Sequence, residues 1–453
     1  MKKIIVIIFI IFASFLTFSL YRTFAYDTSI VEETPSTTDL EYTFKIGNSS
    51  IKQITIDSGE TKYYDVVLGN PNPAKISYGV YYEMVSPSSK PDGFSIEYTS
   101  KSTGESTGKV DKEGNIILNL VVTNTSSSSV TVKLGSVAGY VNGVDLELSS
   151  NQEFIPKKKF PKATEYIKSL NDNSTGTTGS GVYKVHHDAI SAEDSVTGQL
   201  IDATDDYRYY RSSDNYICLD MNNQSTCPDK HLYRIIGSIY EELQKDYRIK
   251  VVKETNLGSE YSWSASGSSV WNGSTVMSLL NSGDWWNGTG NEEENSLSED
   301  AKKYISDSRY YLGRYSNGCA TGVSSTDAYS YERGSLNLGT SNLYWDGKIG
   351  LIYPSDVGYY LGGASIDSIN YNRSILGLPN ANLFQILWTI SPANSHSSEL
   401  DCNVWIFAFG GPWKRRDSQA TGEVYPSFYL DKNVVIIGGT GTSTNPYTID
   451  LPQ

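Results

Sequence analysis

The stretch LEYTFKI, residues 40–46, decides how the first third of the chain is read. Leu40, Tyr42, Phe44 and Ile46 alternate with Glu41, Thr43 and Lys45. That period of two sends one set of side chains into a core and the other into water. Runs of the same kind follow at 51–56, 61–68, 76–84, 94–98, 116–122, 129–137 and 144–148. Turn chemistry separates them: Asp57-Ser58-Gly59, Gly69-Asn70-Pro71, Asp92-Gly93, Glu113-Gly114-Asn115 and Asn142-Gly143. Seven or eight short strands in about 115 residues is the arithmetic of a β-sandwich. Residues 39–152 are therefore expected to form an all-β sandwich. It holds no cysteine, so packing alone would stabilise it.

Upstream, Lys2 and Lys3 precede an apolar run from Ile4 to Phe15, and Thr23-Phe24-Ala25 supplies a small-x-small exit. Residues 1–25 read as a secretory signal peptide, and the same length also suffices for an uncleaved anchor. Either way the remainder is expected outside the cell, secreted or surface-associated, touching a membrane only through that segment. Residues 26–38 are acidic and rich in Ser, Thr and Pro, a short tether. The 453-residue chain carries 37 basic against 51 acidic side chains, a net charge of -14. This excludes nucleic-acid binding that depends on neutralising phosphates. Charged residues are only 19%, below the roughly 25% of an ordinary soluble protein. Tyr, at 34 residues against 13 Phe, is in excess.

Downstream, 153–181 reads as a linker. It contains Lys157-Lys158-Lys159, a short amphipathic helix at 162–170 and a Ser/Thr/Gly/Asn run at 171–181. Residues 182–453 read as a second, α+β domain. LYRIIGSIYE at 232–241 and YRIKVVK at 247–253 are expected to pair as a hairpin. Ser274 caps a helix over 274–280, and Ser298 precedes a helical pattern over 301–312. Further strands are expected at 349–353, 387–389, 404–408, 427–430 and 434–437. All four cysteines lie here: Cys218, Cys227, Cys319 and Cys402. In an exported chain they favour disulfides, Cys218 with Cys227 by proximity and Cys319 with Cys402 by remainder. Zinc requires closer cysteines or histidine partners, and no metal or cofactor is expected.

No catalytic constellation is legible. There is no Gly-x-Ser-x-Gly elbow, no His-Glu-x-x-His and no Walker lysine loop. His187-Asp188 are adjacent and would point opposite ways along an extended segment, so both are read as surface polar residues. Gly438-Gly439-Thr440-Gly441-Thr442 leads to Asn445-Pro446 and not to a helix, and reads as a turn. Asp284 and Glu292-Glu293-Glu294 read as a solvated acidic loop. All eight Trp follow residue 181. Trp388 and Trp405 lie in apolar strands and are assigned to the core. Trp285, Trp286, Trp345 and Trp413 lie among Gly, Asn, Asp and Lys and are the surface candidates for a ligand, with Arg415 in the basic cluster Lys414-Arg415-Arg416.

Several phrases carry a resemblance: Tyr207-Arg208-Tyr209, Leu232-Tyr233-Arg234-Ile235-Ile236-Gly237, Ser262-Trp263 with Trp271-Asn272, and Gly350-Leu351-Ile352-Tyr353-Pro354-Ser355-Asp356. Leu387-Trp388-Thr389-Ile390-Ser391-Pro392 and the closing Asn445-Pro446-Tyr447 belong with them. The region 182–448 resembles a class of uncharacterised exported surface proteins of gut Firmicutes, whose C-terminal domains are similar to C-type-lectin-like and formylglycine-generating-enzyme-like domains. Residues 39–152 resemble bacterial immunoglobulin-like domains. The resemblance implies a multidomain surface protein, an immunoglobulin-like sandwich before a C-type-lectin-like α+β domain, and brings no catalytic residues. Where relatives of the class carry Arg-Pro, this chain has Tyr425-Pro426, and the calcium-lectin signatures are absent. The expected function is binding or adhesion toward a glycan or a host or cell-wall protein. The alternatives are a wall-directed carbohydrate hydrolase and a purely structural surface subunit.

Overall fold

In the computed structural model the described residues are 43–46, 52–99, 107–140, 146–175, 179–191, 200–211, 214–221, 224, 226–313, 323–334, 344–363, 386–392, 404–408 and 414–451. The expected signal and tether lie outside them. The chain divides into two compact units, Met1–Lys159 and Phe160–Pro452. The expected linker is thus not a free segment. Residues Gln152–Phe154 pair with Ile76–Ser86 in the first unit, while the helix Ala163–Ser169 belongs to the second.

The first unit is built from two antiparallel sheets. One orders Thr43–Ile46, Glu60–Asn70, Gly114–Asn124 and Phe94–Thr99. The other orders Gln53–Ile56, Val130–Tyr140, Ile76–Ser86 and Thr107–Val110, with Gln152–Phe154 sharing the Ile76–Ser86 edge. Alternate residues of both sheets, among them Val66, Leu118, Leu120, Ile56, Val132 and Leu134, meet in one buried cluster. Their neighbours Tyr63 and Ile117 face solvent, as the period requires. The described part of the expected strand 144–148 is not extended pairing, and Thr107–Val110 and Gln152–Phe154 take places in the sheet that the sequence did not mark.

In the second unit the expected hairpin, Leu232–Glu241 with Asp246–Lys253, is the middle of a nine-stranded sheet. Asp246–Lys253 continues to Ser427–Tyr429 and Ile349–Gly350, and Leu232–Glu241 to Tyr216–Cys218, Tyr447–Asp450 and Val435–Gly438. Farther along Leu232–Glu241, Thr204–Tyr209 pairs at Gly237 and Ser238 and carries Val182–His187 on its far side. Gly237 sits where the strand bulges, and a Cβ there would strike the Tyr207 carbonyl. Both faces of the hairpin are covered, so its residues are almost continuously buried and do not alternate. A five-stranded sheet orders Glu260–Ser262, Thr421–Glu423, Ile386–Pro392, Val404–Ala408 and Lys414–Arg416. The architecture is a mixture of several sheets and short helices, with one large core in this unit.

Local chemistry accounts for the helices. Ser274 Oγ accepts from Met277 N at the start of Thr275–Asn281, and Ser298 Oγ accepts from Ala301 N at the start of Glu299–Lys302. The second helix ends after one turn. The residues expected to continue it become the strand Ser308–Tyr311, paired with Tyr344–Gly347. Likewise the expected strand 349–353 stops at Gly350. Pro354 then opens the fully buried helix Pro354–Tyr360, whose Asp356 Oδ2 accepts the Tyr353 N–H at 2.9 Å. Cys218 and Cys227 form a disulfide. Cys319 and Cys402 lie outside the described residues.

Candidate functional site

The surface candidates separate once packing is known. Trp285, expected at the surface, is wholly buried, because the one-turn helix Asp284–Asn287 turns it inward and its Nε1 donates to the Asn295 carbonyl. Trp345 is half-buried, its ring 5.9 Å from Trp271 and 5.5 Å from Tyr310, an aromatic link between a small sheet and the core. Trp388 and Trp405 are buried, as assigned. Trp413 lies outside the described residues. Arg415 sits in the strand Lys414–Arg416 opposite Trp405, and its side chain is likewise outside them.

Trp286 keeps a partly open indole. It packs against the core while Lys302 Nζ and Lys348 Nζ approach its ring centroid at 5.2 and 5.7 Å. Lys302 is also held by Glu299 at 2.6 Å. An indole packed on the core with two ammonium groups over its ring is a cation–π cluster at the surface, joining an aromatic face to positive charge.

The acidic loop is only partly solvated. Glu293 and Glu294 are exposed, but Glu292 is buried and accepts the Tyr261 hydroxyl. Burial pushes the Glu292 carboxyl up. Among the described residues no group of three or more His, Cys, Asp or Glu side chains is placed to hold a metal ion. The Gly438–Thr442 segment is a turn joining Val435–Gly438 to Tyr447–Asp450, with Thr440 N donating to Asn445 O at 2.9 Å.

A second assembly was not foreseen. Val182–His187, Thr204–Tyr209, Leu232–Glu241, Asp246–Lys253 and Ser427–Tyr429 align Tyr183, Arg208, Gly237, Lys250 and Tyr429 in one row across the sheet. Over this row lies the helix Pro354–Tyr360. Asp356 Oδ1 accepts from Arg208 Nη1 at 2.9 Å, and its Oδ2 accepts from Lys250 Nζ at 2.6 Å. Arg208 also reaches Asp206 at 2.8 Å, and Asp206 takes a bond from His187 at 2.9 Å. His187, read as a surface residue, is therefore buried, and its ring stacks on Tyr329 at 3.6 Å. His186, one residue away, faces solvent beside Asp205. On the other side, Glu332 from the helix Ser325–Glu332 accepts from Ser355 N at 2.9 Å and from its hydroxyl, with Arg333 at 3.6 Å. Tyr353 and Tyr429 line the Lys250 ammonium at 4.2 and 5.4 Å.

Every charged member of this network is buried. Burial opposes ionisation of Asp206, but Arg208 and His187 hold its carboxyl well below the usual range. Burial likewise opposes Asp356, which Lys250 and Arg208 outweigh. Burial drives Lys250 down despite Asp356. Burial pushes Glu332 up to about 7, against the pull of Arg333 and Ser355. The signal in the sequence was slight: Lys250 breaks the apolar run between Ile249 and Val251, and Arg208 stands between two tyrosines. No protein-family model matches the chain, and no curated protein matches it.

Proposed function

We propose that this chain is an extracellular surface protein whose second unit binds glycans through Trp286. In this reading the first unit is an immunoglobulin-like spacer and the second a C-type-lectin-like recognition domain. The observation that carries it is the half-buried Trp286 indole with the Lys302 and Lys348 ammonium groups over its ring. Sugar rings stack their C–H faces on indoles, and flanking ammonium groups favour sugars bearing carboxylate or sulfate. The other tryptophans contribute less, since Trp285, Trp388 and Trp405 are committed to the core. The test is a glycan array probed with the intact exported chain and with Trp286→Ala. Acidic glycans should be retained by the parent and weakened at least tenfold by the variant, which should still melt in a cooperative transition. An array without hits, or hits indifferent to Trp286→Ala, refutes the assignment. Capture of an acidic protein in place of any glycan would refute it in favour of protein adhesion.

A further inference from the structure

Lys250 and Asp356 meet where water is excluded: both are buried, and their Nζ–Oδ2 separation is 2.6 Å. An ion pair in such a place is expensive, because each charge has given up its hydration. Removing both charges together relieves that cost. The remaining members then still pair off, Asp206 with Arg208 and Glu332 with Arg333. We propose that Lys250 Nζ and Asp356 Cγ condense to an amide, an intrachain isopeptide bond tying the strand Asp246–Lys253 to the helix Pro354–Tyr360.

The groups needed for the step are in place. A proton passes from the Lys250 ammonium to Asp356 Oδ2 along their hydrogen bond, leaving a neutral amine and a neutral acid. This transfer is far less costly in a dry, aromatic-lined interior than in water, since neither product bears charge. Tyr353 and Tyr429 provide that lining. The amine lone pair then attacks Cγ. Negative charge grows on Oδ1, which the Arg208 guanidinium already holds at 2.9 Å, the role of an oxyanion donor. A second amine proton reaches the Oδ2 hydroxyl, the Cγ–Oδ2 bond breaks and one water departs. One C–N bond forms and one C–O bond is lost, with no change of oxidation state and no co-reactant. Glu332 is a buried acid that acts on the pair through its charge. It bonds to Ser355, the neighbour of Asp356, and interacts electrostatically with both Lys250 and Asp356. The backbone N–H of Tyr353 fixes the carboxyl while this happens.

The test is the intact mass of the purified, folded wild-type chain, followed by peptide mapping under denaturing conditions. The expected result is a mass below that of the sequence by one water, after allowance for disulfide hydrogens, with a branched peptide joining Lys250 to Asp356. Lys250→Arg should restore the missing water. Should that variant fail to fold, the branched peptide of the wild type still decides the matter. Glu332→Gln should leave a larger fraction of chains uncoupled. A folded wild type at full mass overturns the proposal, and so does a water loss that maps to other residues. Neither result bears on glycan binding at Trp286.

Discussion

Glu332 shows what a single buried acid does to the second unit. It lies wholly inside, bonded to Ser355 and close to Arg333, and burial lifts its carboxyl from 4.5 to about 7. A raised folded value means the native state holds its proton more tightly than the unfolded chain. Its stabilising contribution is then complete below pH 4.5 and is lost as the pH rises through about 7. The Tm of the wild type, relative to Glu332→Gln, should therefore fall between those limits and level off above them. A difference independent of pH across that window counts against the assignment. Nothing in the sequence distinguished Glu332 from the many acidic residues around it. Its character comes from being packed beneath the helix Pro354–Tyr360, and tertiary packing is invisible to local pattern. The same holds for Trp285 and Trp286. They are adjacent and identical in type, yet a one-turn helix buries one and leaves the other half-open.

Among the elements, those defined by local chemistry were the most legible. The hairpin Leu232–Glu241 with Asp246–Lys253 and the Ser274 cap follow directly from runs and capping residues. Ser274→Ala should cost about 1 kcal/mol in chemical denaturation, since it removes the one side chain that accepts the Met277 N–H. A loss below a few tenths would mean that the helix Thr275–Asn281 is held by burial of Val276 and Leu280 alone. The helical pattern over 301–312 misled for a physical reason. Ala301, Tyr304 and Ile305 are all buried, so their spacing fitted a helix face, but the backbone leaves the helix after Lys302. Asp431 N then donates to the Tyr304 carbonyl and Tyr344–Gly347 pairs with Ser308–Tyr311. Strand partners distant in sequence outweighed a weak local preference. The excess of tyrosine is explained similarly. Tyr209, Tyr233, Tyr310 and Tyr429 are buried on strands, and Tyr353 is buried at the start of a helix beside the Lys250 ammonium.

At the scale of the molecule, the chain divides at Lys159, inside the stretch 153–181 that the sequence marked as the joint between two domains. The polar run after Gln152 suggested a linker, yet Lys158 N bonds to the Tyr98 carbonyl and Ala163 N bonds to the Val434 carbonyl, so structure continues on both sides of residue 159. Each unit has its own buried cluster. Residues 26–159 and 160–453, expressed separately, should each melt in one cooperative calorimetric transition. A featureless melt from either piece would show that its core is incomplete alone.

The last strand has a consequence for timing. Tyr447–Asp450 does not close an edge: it lies between Tyr216–Cys218 and Val435–Gly438, inside the nine-stranded sheet. Its partner at Tyr216–Cys218 is made more than two hundred residues earlier. A ribosome that has delivered everything up to residue 440 has therefore produced a sheet with a gap, not one lacking only a rim. The second unit must wait in an open state until residue 450 has been synthesised, while the first, whose described strands all precede residue 155, is free to finish well before.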